Sequence, residues 1–183
     1  MMVAVATMDT NSTGDIELEA PLARAIALLS DPSKGLPDPV FNFVLKVTAV
    51  PNVDLLVADD RGRRLLTWRV DEYGAGWHVP GGIIRWGESI QNRINEVARL
   101  ELGSTVTTTR QPALITQFIS VRGTFISMLY NCTLTSEVTD PSVRFSQDTT
   151  HPSQGQLHWF DGIPEMLYPA HDVYRHLLHP RSS

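Results

Sequence analysis

Short runs rich in β-forming residues occupy positions 53–58, 64–69, 113–119, 124–134 and 157–160, and each predicts a strand. The turn signal Asp59-Asp60-Arg61-Gly62 between the first two predicts a β-hairpin. A rhythm near 3.6 residues appears at 88–102, where Ile90, Ile94, Val97 and Ala98 fall on one helical face and Gly103 supplies a C-terminal stop. Leu22, Ile26 and Leu29 make a shorter helical face from Pro21 onward, ended by the Asp31–Gly35 breaker and the Pro37-Asp38-Pro39 turn. Residues 163–178, with Pro164 in the first turn, predict a closing helix. Positions 40–50 are apolar and fit a helix or a strand equally well. Positions 1–20 show no periodicity and read as a leader, and 136–156 are polar and read as a long surface loop.

The order is hairpin, loop, helix, strands, loop, strand, helix. It predicts an α+β chain with helices packed on a mixed sheet, divided into an extension at 1–37 and one domain at 38–183. Helices do not alternate regularly with strands, and neither GxGxxG nor GxxxxGK[ST] occurs, which argues against a doubly wound nucleotide fold.

Composition narrows the partners. Apolar residues make up 42% of the 183 positions and charged residues 19%, a globular balance. The net charge is −5 and the basic residues are scattered, so a nucleic acid polymer is not an expected partner. Cys132 is the only cysteine, which forbids an intrachain disulfide or a thiolate zinc cluster and suits a cytoplasmic location. No run approaches the roughly 20 apolar residues of a membrane span, and the first ten residues lack the basic start of an export signal.

The densest motif lies at 81–103, GGIIRWGESIQNRINEVARLELG. Gly82, Glu88, Glu101 and Gly103 stand at the separations of the pattern GX5EX7REUXEEXGU, where U is aliphatic, and the segment resembles the Nudix box. The arginine of the pattern is replaced by Glu96, the next glutamate by Val97, and the first of the glutamate pair by Leu100. On an α-helix positions 97 and 101 share a face, so an ordinary box aims two carboxylates at one cation and this chain aims one. Residues 53–103 are most similar to the GDP-mannose mannosyl hydrolases. That subgroup shares the WxVPGG run at 77–82, the Arg61-Gly62 turn, the Leu65-Leu66-x-x-Arg69 strand and the apolar replacements inside the box.

The resemblance implies a Nudix fold, a mixed β-sheet sandwiched between helices, acting on a nucleoside-diphosphate-linked substrate. For the subgroup it implies a nucleotide sugar such as GDP-mannose, with water attacking the anomeric carbon and releasing sugar and nucleoside diphosphate. Mg²⁺ is the implied cofactor, with Mn²⁺ as an alternative, and Glu101, the carbonyl of Gly81 and Gln154 are its implied ligands. Arg69 aligns with a leaving-group arginine and Arg85 is a second candidate for the diphosphate. Trp77 and Trp86 flank the box and either stacks on a base or covers the sheet, with Trp77 taken as a substrate contact.

The subgroup's general-base histidine falls where this chain has Ser153 and Gln154, so His151 becomes the expected base and His158 its alternative. His171, His176 and His179 are expected on the surface of the last helix. A homodimer is a further expectation. Two other readings stay open: cleavage at phosphorus, with Glu137, Asp140 or Asp148 reaching the metal, and a nucleotide-binding module that has lost catalysis.

Overall fold

The computed structural model describes residues 12–145 and 150–179, so the start of the leader and Asp148 lie outside it. Helix α1 (Ser12–Ala27) begins before the expected Pro21 and carries that proline inside. The ambiguous stretch at 40–50 resolves into α2 (Asp38–Val47) and the start of β1 (Ala49–Val57). Then follow β2 (Arg64–Asp71), β3 (Gly74–His78), β4 (Gly81–Ile83), α3 (Ile90–Val97) with a π-helical turn at Ala98–Leu102, and β5 (Val106–Thr108). The chain continues with β6 (Leu114–Ser120), β7 (Gly123–Leu134), the short α4 (Pro141–Arg144), β8 (Leu157–Phe160) and a 3-10 helix at Pro169–Leu177. Among the described residues no helix is long and apolar enough to cross a membrane.

Two sheets organise these elements. In the larger, mixed sheet β7 runs parallel to β1 along the length of that strand and pairs antiparallel with β5 and β6, while β4 closes the other edge of β1. The smaller sheet is antiparallel, in the order β3-β2-β8.

The predicted hairpin of β1 with β2 is therefore corrected: the two strands lie in different sheets, and between them an isolated bridge of Ala58 with Arg64 and the Asp59 N–H on the Arg63 carbonyl stand in place of a ladder. The turn chemistry itself is as expected, with Gly62 at φ 80° and the Asp59 carboxylate accepting from the Arg61 and Arg63 N–H groups. Both edges of β1 are taken by β4 and β7, so the turn passes the chain between sheets instead of closing a ladder.

Helix α3 starts at the Ser89 cap, whose hydroxyl accepts from Asn92 N–H at 3.1 Å. The segment ends at Gly103, whose φ of 61° suits a residue without a Cβ. Ile94, Val97, Ala98 and Leu102 pack on Val53, Leu55 and Val57 of β1 and on Tyr130 and Cys132 of β7. Burial of a side chain such as Ile94 stabilises the fold by roughly 1.5–3 kcal/mol.

Ile90 departs from the expected face and is 39% exposed. The inward position one turn on belongs to Arg93, buried in an ion pair with Glu88 at 2.7 Å. Glu88 also accepts from the Arg85 N–H, so this one carboxylate closes the loop leading into the helix.

On the opposite face of the mixed sheet, Leu56 and Leu129 meet Leu66, Trp68 and Trp77 of the smaller sheet and Tyr174 and Leu178 of the C-terminal segment. The sheet is thus sandwiched between helices, as expected of the α+β class. The closing helix is 3-10 and begins at Pro169 rather than near 163. Because the Glu88–Arg93 pair is buried, Arg93→Met strands a carboxylate and costs about 3 kcal/mol. Chemical denaturation of Arg93→Met, Glu88→Gln and the double variant checks this, the double variant losing less than the two single losses added together.

Candidate active site

A cavity of 1960 Å³ opens where the two sheets, the box segment and the C-terminal helix meet. Asp54 of β1, Arg69 of β2, His78 of β3, Gly81 of β4, Glu101 of the π turn, Gln154 and His171 all line it. Leu29, Pro32, Gly35 and Leu36 of the N-terminal extension add an outer wall.

Glu101 is the centre of this set. Its Oε2 lies 3.1 Å from Nε2 of His78, and its backbone carbonyl accepts from Nη1 of Arg144 at 2.9 Å. His78 is 5% exposed, and its Nδ1 is buried with no hydrogen-bond partner. The carboxylate oxygen accepts, so Nε2 is the donor of this contact.

Asp54 sits opposite Gly81 in the β1–β4 pairing, and a methyl group at Gly81 would collide with its Oδ1. At Gly82 a Cβ would press on Val97 at 3.0 Å, so the glycine pair is what lets β4 run between Asp54 and the helix. Asp54 accepts from the Ser127 hydroxyl and from the Tyr174 hydroxyl, the latter at 2.6 Å. Burial pushes its pKa up to about 6 against those two hydrogen bonds, and the nearby Glu101 charge adds to the rise. His171 accepts the Val79 N–H on Nδ1 at 3.1 Å. Burial, with His78 and Arg69 nearby, holds its pKa well below the ordinary histidine range, so the ring is neutral at pH 7.

The residues expected from sequence divide into those the cavity gathers and those it leaves out. Arg69 lines it, bonded through Nε to Asp71 at 2.7 Å with its guanidinium over the Tyr168 ring. Arg85 and the exposed Trp86 line the rim. Gln154 reaches the cavity, with Oε1 accepting the Val70 N–H at 2.7 Å.

Trp77 is corrected: it is 3% exposed and packs edge-on against Trp68 and Phe160 in the core, away from the cavity. Its side of β3 faces the second core, whereas His78, the next residue, faces the site. His151 lies on the exposed loop, with Nδ1 at 2.9 Å from the Thr150 hydroxyl, and is not part of the lining. The turn closed by the Gln156 N–H on the Ser153 carbonyl brings residues 153–156 to the cavity and ends short of it. His158 packs edge-on against Phe160 and tilted against Trp77, also off the cavity. His171, expected on the surface, is buried, while His176 and His179 are exposed. Of the acids named for a second metal position, Asp140 lines the cavity and Glu137 does not.

Where further carboxylates would stand, the wall is apolar: Val97 is buried, and Leu100, 51% exposed, faces the cavity. Among the described residues no group of three or more His, Cys, Asp or Glu side chains is placed to hold a metal. Glu101, Gly81 and Gln154, the three ligands expected from the resemblance, all line this cavity, with Glu101 Oε2 on His78 and Gln154 Oε1 on the Val70 N–H.

Solved structures share this architecture. The MutT NUDIX hydrolase from Burkholderia pseudomallei superposes with a TM-score of 0.53 at 19% identity, covering 70% of this chain and 97% of that one. The fold is that of the Nudix hydrolases. The MutT protein from Methanosarcina mazei Go1 gives 0.52 at 20% identity, covering 71% of this chain and 90% of its own. A UDP-X diphosphatase gives 0.53 at 17% identity, covering 93% and 82%. No family model matches the sequence, and no curated protein sequence matches it.

Inside the box helix, Arg93 is the residue that pairs with Glu88. It binds Glu88 from one helical turn before the position that Glu96 holds, while Glu96 itself is exposed and paired with Arg99. The usable signals were a lone aspartate inside the apolar run 53–57, the histidine next to Val79-Pro80, and an arginine five residues after Glu88.

The neutral His171 gives a pH dependence with a definite sign. Its folded pKa lies below the unfolded value of about 6.5, so its contribution is complete above that pH and is lost as pH falls, by up to about 1.4 kcal/mol per unit. Asp54, whose folded pKa of about 6 lies above its ordinary value, acts in the opposite sense over the same window, so the His171 part is read as a difference: in thermal or urea melts between pH 7 and 5, His171→Asn loses less stability with falling pH than the parent.

Proposed function

We propose that this chain is a Mg²⁺-dependent hydrolase of a nucleoside-diphosphate-linked substrate, most suitably a nucleotide sugar such as GDP-mannose. Water attacks the anomeric carbon, and the nucleoside diphosphate leaves. The observation that carries this reading is that Glu101 reaches the cavity while the two box positions where the pattern has further glutamates hold the apolar Val97, buried in the core, and Leu100. One cation held by Glu101, the Gly81 carbonyl and Gln154 suits a bound diphosphate better than it suits activation of a nucleophile at phosphorus.

Mg²⁺, when bound, neutralises the diphosphate and improves it as a leaving group. Arg69, oriented by Asp71 and Tyr168, and Arg85 at the rim supply the phosphate contacts. His78 takes the role first expected of His151. It and Glu101, 3.1 Å apart between Nε2 and Oε2, together take the proton of the attacking water.

We assign this chemistry to residues 38–183, with the extension at 1–37 closing the outer wall, and place the protein in the cytoplasm as a homodimer. Cys132 suits that location as a packing residue: burial pushes its thiol up to about 12, which removes it from chemistry near neutral pH.

Incubating the protein with Mg²⁺ and a nucleotide-sugar panel, then separating products, tests the reading. Nucleoside diphosphate plus free sugar is the expected outcome. Nucleoside monophosphate plus sugar phosphate would instead mean attack at phosphorus, and tight binding without turnover would mean a binding module, the reading that the exposed Leu100 favours. Glu101→Gln abolishes Mg²⁺-dependent turnover, while Glu96→Gln changes it little because Glu96 is on the solvent side with Arg99. His78→Gln lowers kcat by roughly 10²–10⁴-fold, the range of general acid–base catalysis. Equal losses from the two glutamate variants would overturn these roles.

A further inference from the structure

Arg69, Arg85, Arg93, Arg122 and Arg144 border the cavity, and their partners differ. Arg69 is paired with Asp71 and Arg93 with Glu88, and Arg144 donates to the Glu101 carbonyl. Arg85 is exposed at the rim. Arg122 is half-buried and takes part in no ion pair among the described residues, and its Nε is shut off from water without a hydrogen-bond partner.

This arginine is also held in place. It belongs to the two-residue turn between β6 and β7, where its own N–H donates to the Ser120 hydroxyl at 3.2 Å. Its guanidinium lies 5.2 Å from the Tyr73 ring and 6.0 Å from the Phe125 ring. Tyr73 comes from the β2–β3 turn of the other sheet, so Arg122 stands where the rims of the two sheets meet. Asp71, the carboxylate of that turn, is occupied by Arg69, the Tyr73 N–H and the Tyr168 hydroxyl, and has no oxygen to spare. A guanidinium preset between rings at the border of a large cavity, with no carboxylate of the described residues paired to it, lacks one thing, an oxyanion.

We propose that Arg122 is an anion anchor of the cavity, taking a carboxylate or phosphate oxygen that the substrate carries in addition to its diphosphate. The apolar wall behind it, Phe125 with Phe118 stacked 5.2 Å away, lowers the local dielectric and strengthens such a contact. This deepens the functional reading above and rests on it for the identity of the rest of the ligand. Arg122 then selects among diphosphate-linked substrates by the charge at a second position.

Calorimetric binding of matched pairs tests it. UDP-glucose against UDP-glucuronate varies a carboxylate on the sugar, and ADP-ribose against its 2′-phosphorylated form varies a phosphate on the nucleoside. The parent prefers the more anionic member of one pair by about tenfold, the discrimination expected of one charge-assisted hydrogen bond. Arg122→Met removes that preference and leaves Kd for the less charged member within about twofold, and Arg122→Lys restores part of it. The pair that responds names the source of the anion. No preference in either pair, or a preference that survives in Arg122→Met, overturns the proposal and leaves the stacked arginine as a clasp between two turns.

If no nucleotide binds, the hydrolase reading has failed, and a second arm decides this inference alone. Inorganic phosphate or glucuronate then protects Arg122 from phenylglyoxal, mapped by mass spectrometry. Unchanged labelling of Arg122 overturns the anchor.

Discussion

The parallel pairing of β1 with β7 is the constraint on which the rest of the molecule depends. It fixes which side chains of β1 face which layer. Val53, Leu55 and Val57 point under the box helix, while Asp54 and Leu56 point toward the C-terminal segment. A slip of one residue would exchange the two sets, placing a carboxylate under Ile94 and a valine opposite Tyr174. The pairing also leaves one edge of β1 for β4, and that short strand delivers Gly81 to the cavity beside Asp54.

The strand runs, the box helix and its glycine stop were legible because they depend on local periodicity and on backbone conformations that few residues adopt. The β1–β2 hairpin was not, because a turn signal specifies a change of direction and says nothing about which ladder the next strand joins. Trp77 and His78 show the same limit inside the site. They are adjacent, and only the placement of β3 between two environments decides that the tryptophan is core and the histidine reaches Glu101. His171 was misplaced for a related reason: a short polar segment with three histidines reads as solvated until Val79 N–H and the His78 ring are brought against it.

The site holds its polar groups by satisfying most of them internally. Asp54 is bonded by two hydroxyls, Glu88 by a guanidinium and a backbone amide, and Asp71 by Arg69 and Tyr168. Against that background Nδ1 of His78, Nε of Arg122 and the Trp68 indole nitrogen stand out as buried polar atoms with no hydrogen-bond partner.

The π turn at Ala98–Leu102 has an evolutionary meaning. Such a turn is a helix with one residue more than its α-helical length, and it rotates everything after it about the axis. In this chain that rotation lets Val97 stay in the core while Glu101, four residues later, leaves it for the cavity. Loss of a single codon within that turn would rewind the segment into a regular helix and carry the carboxylate away from His78, with every other box residue still in the gene. The spacing of a motif along a sequence is therefore a record of helix geometry as much as of chemistry, and a lineage can change its active site by altering the count before altering any side chain.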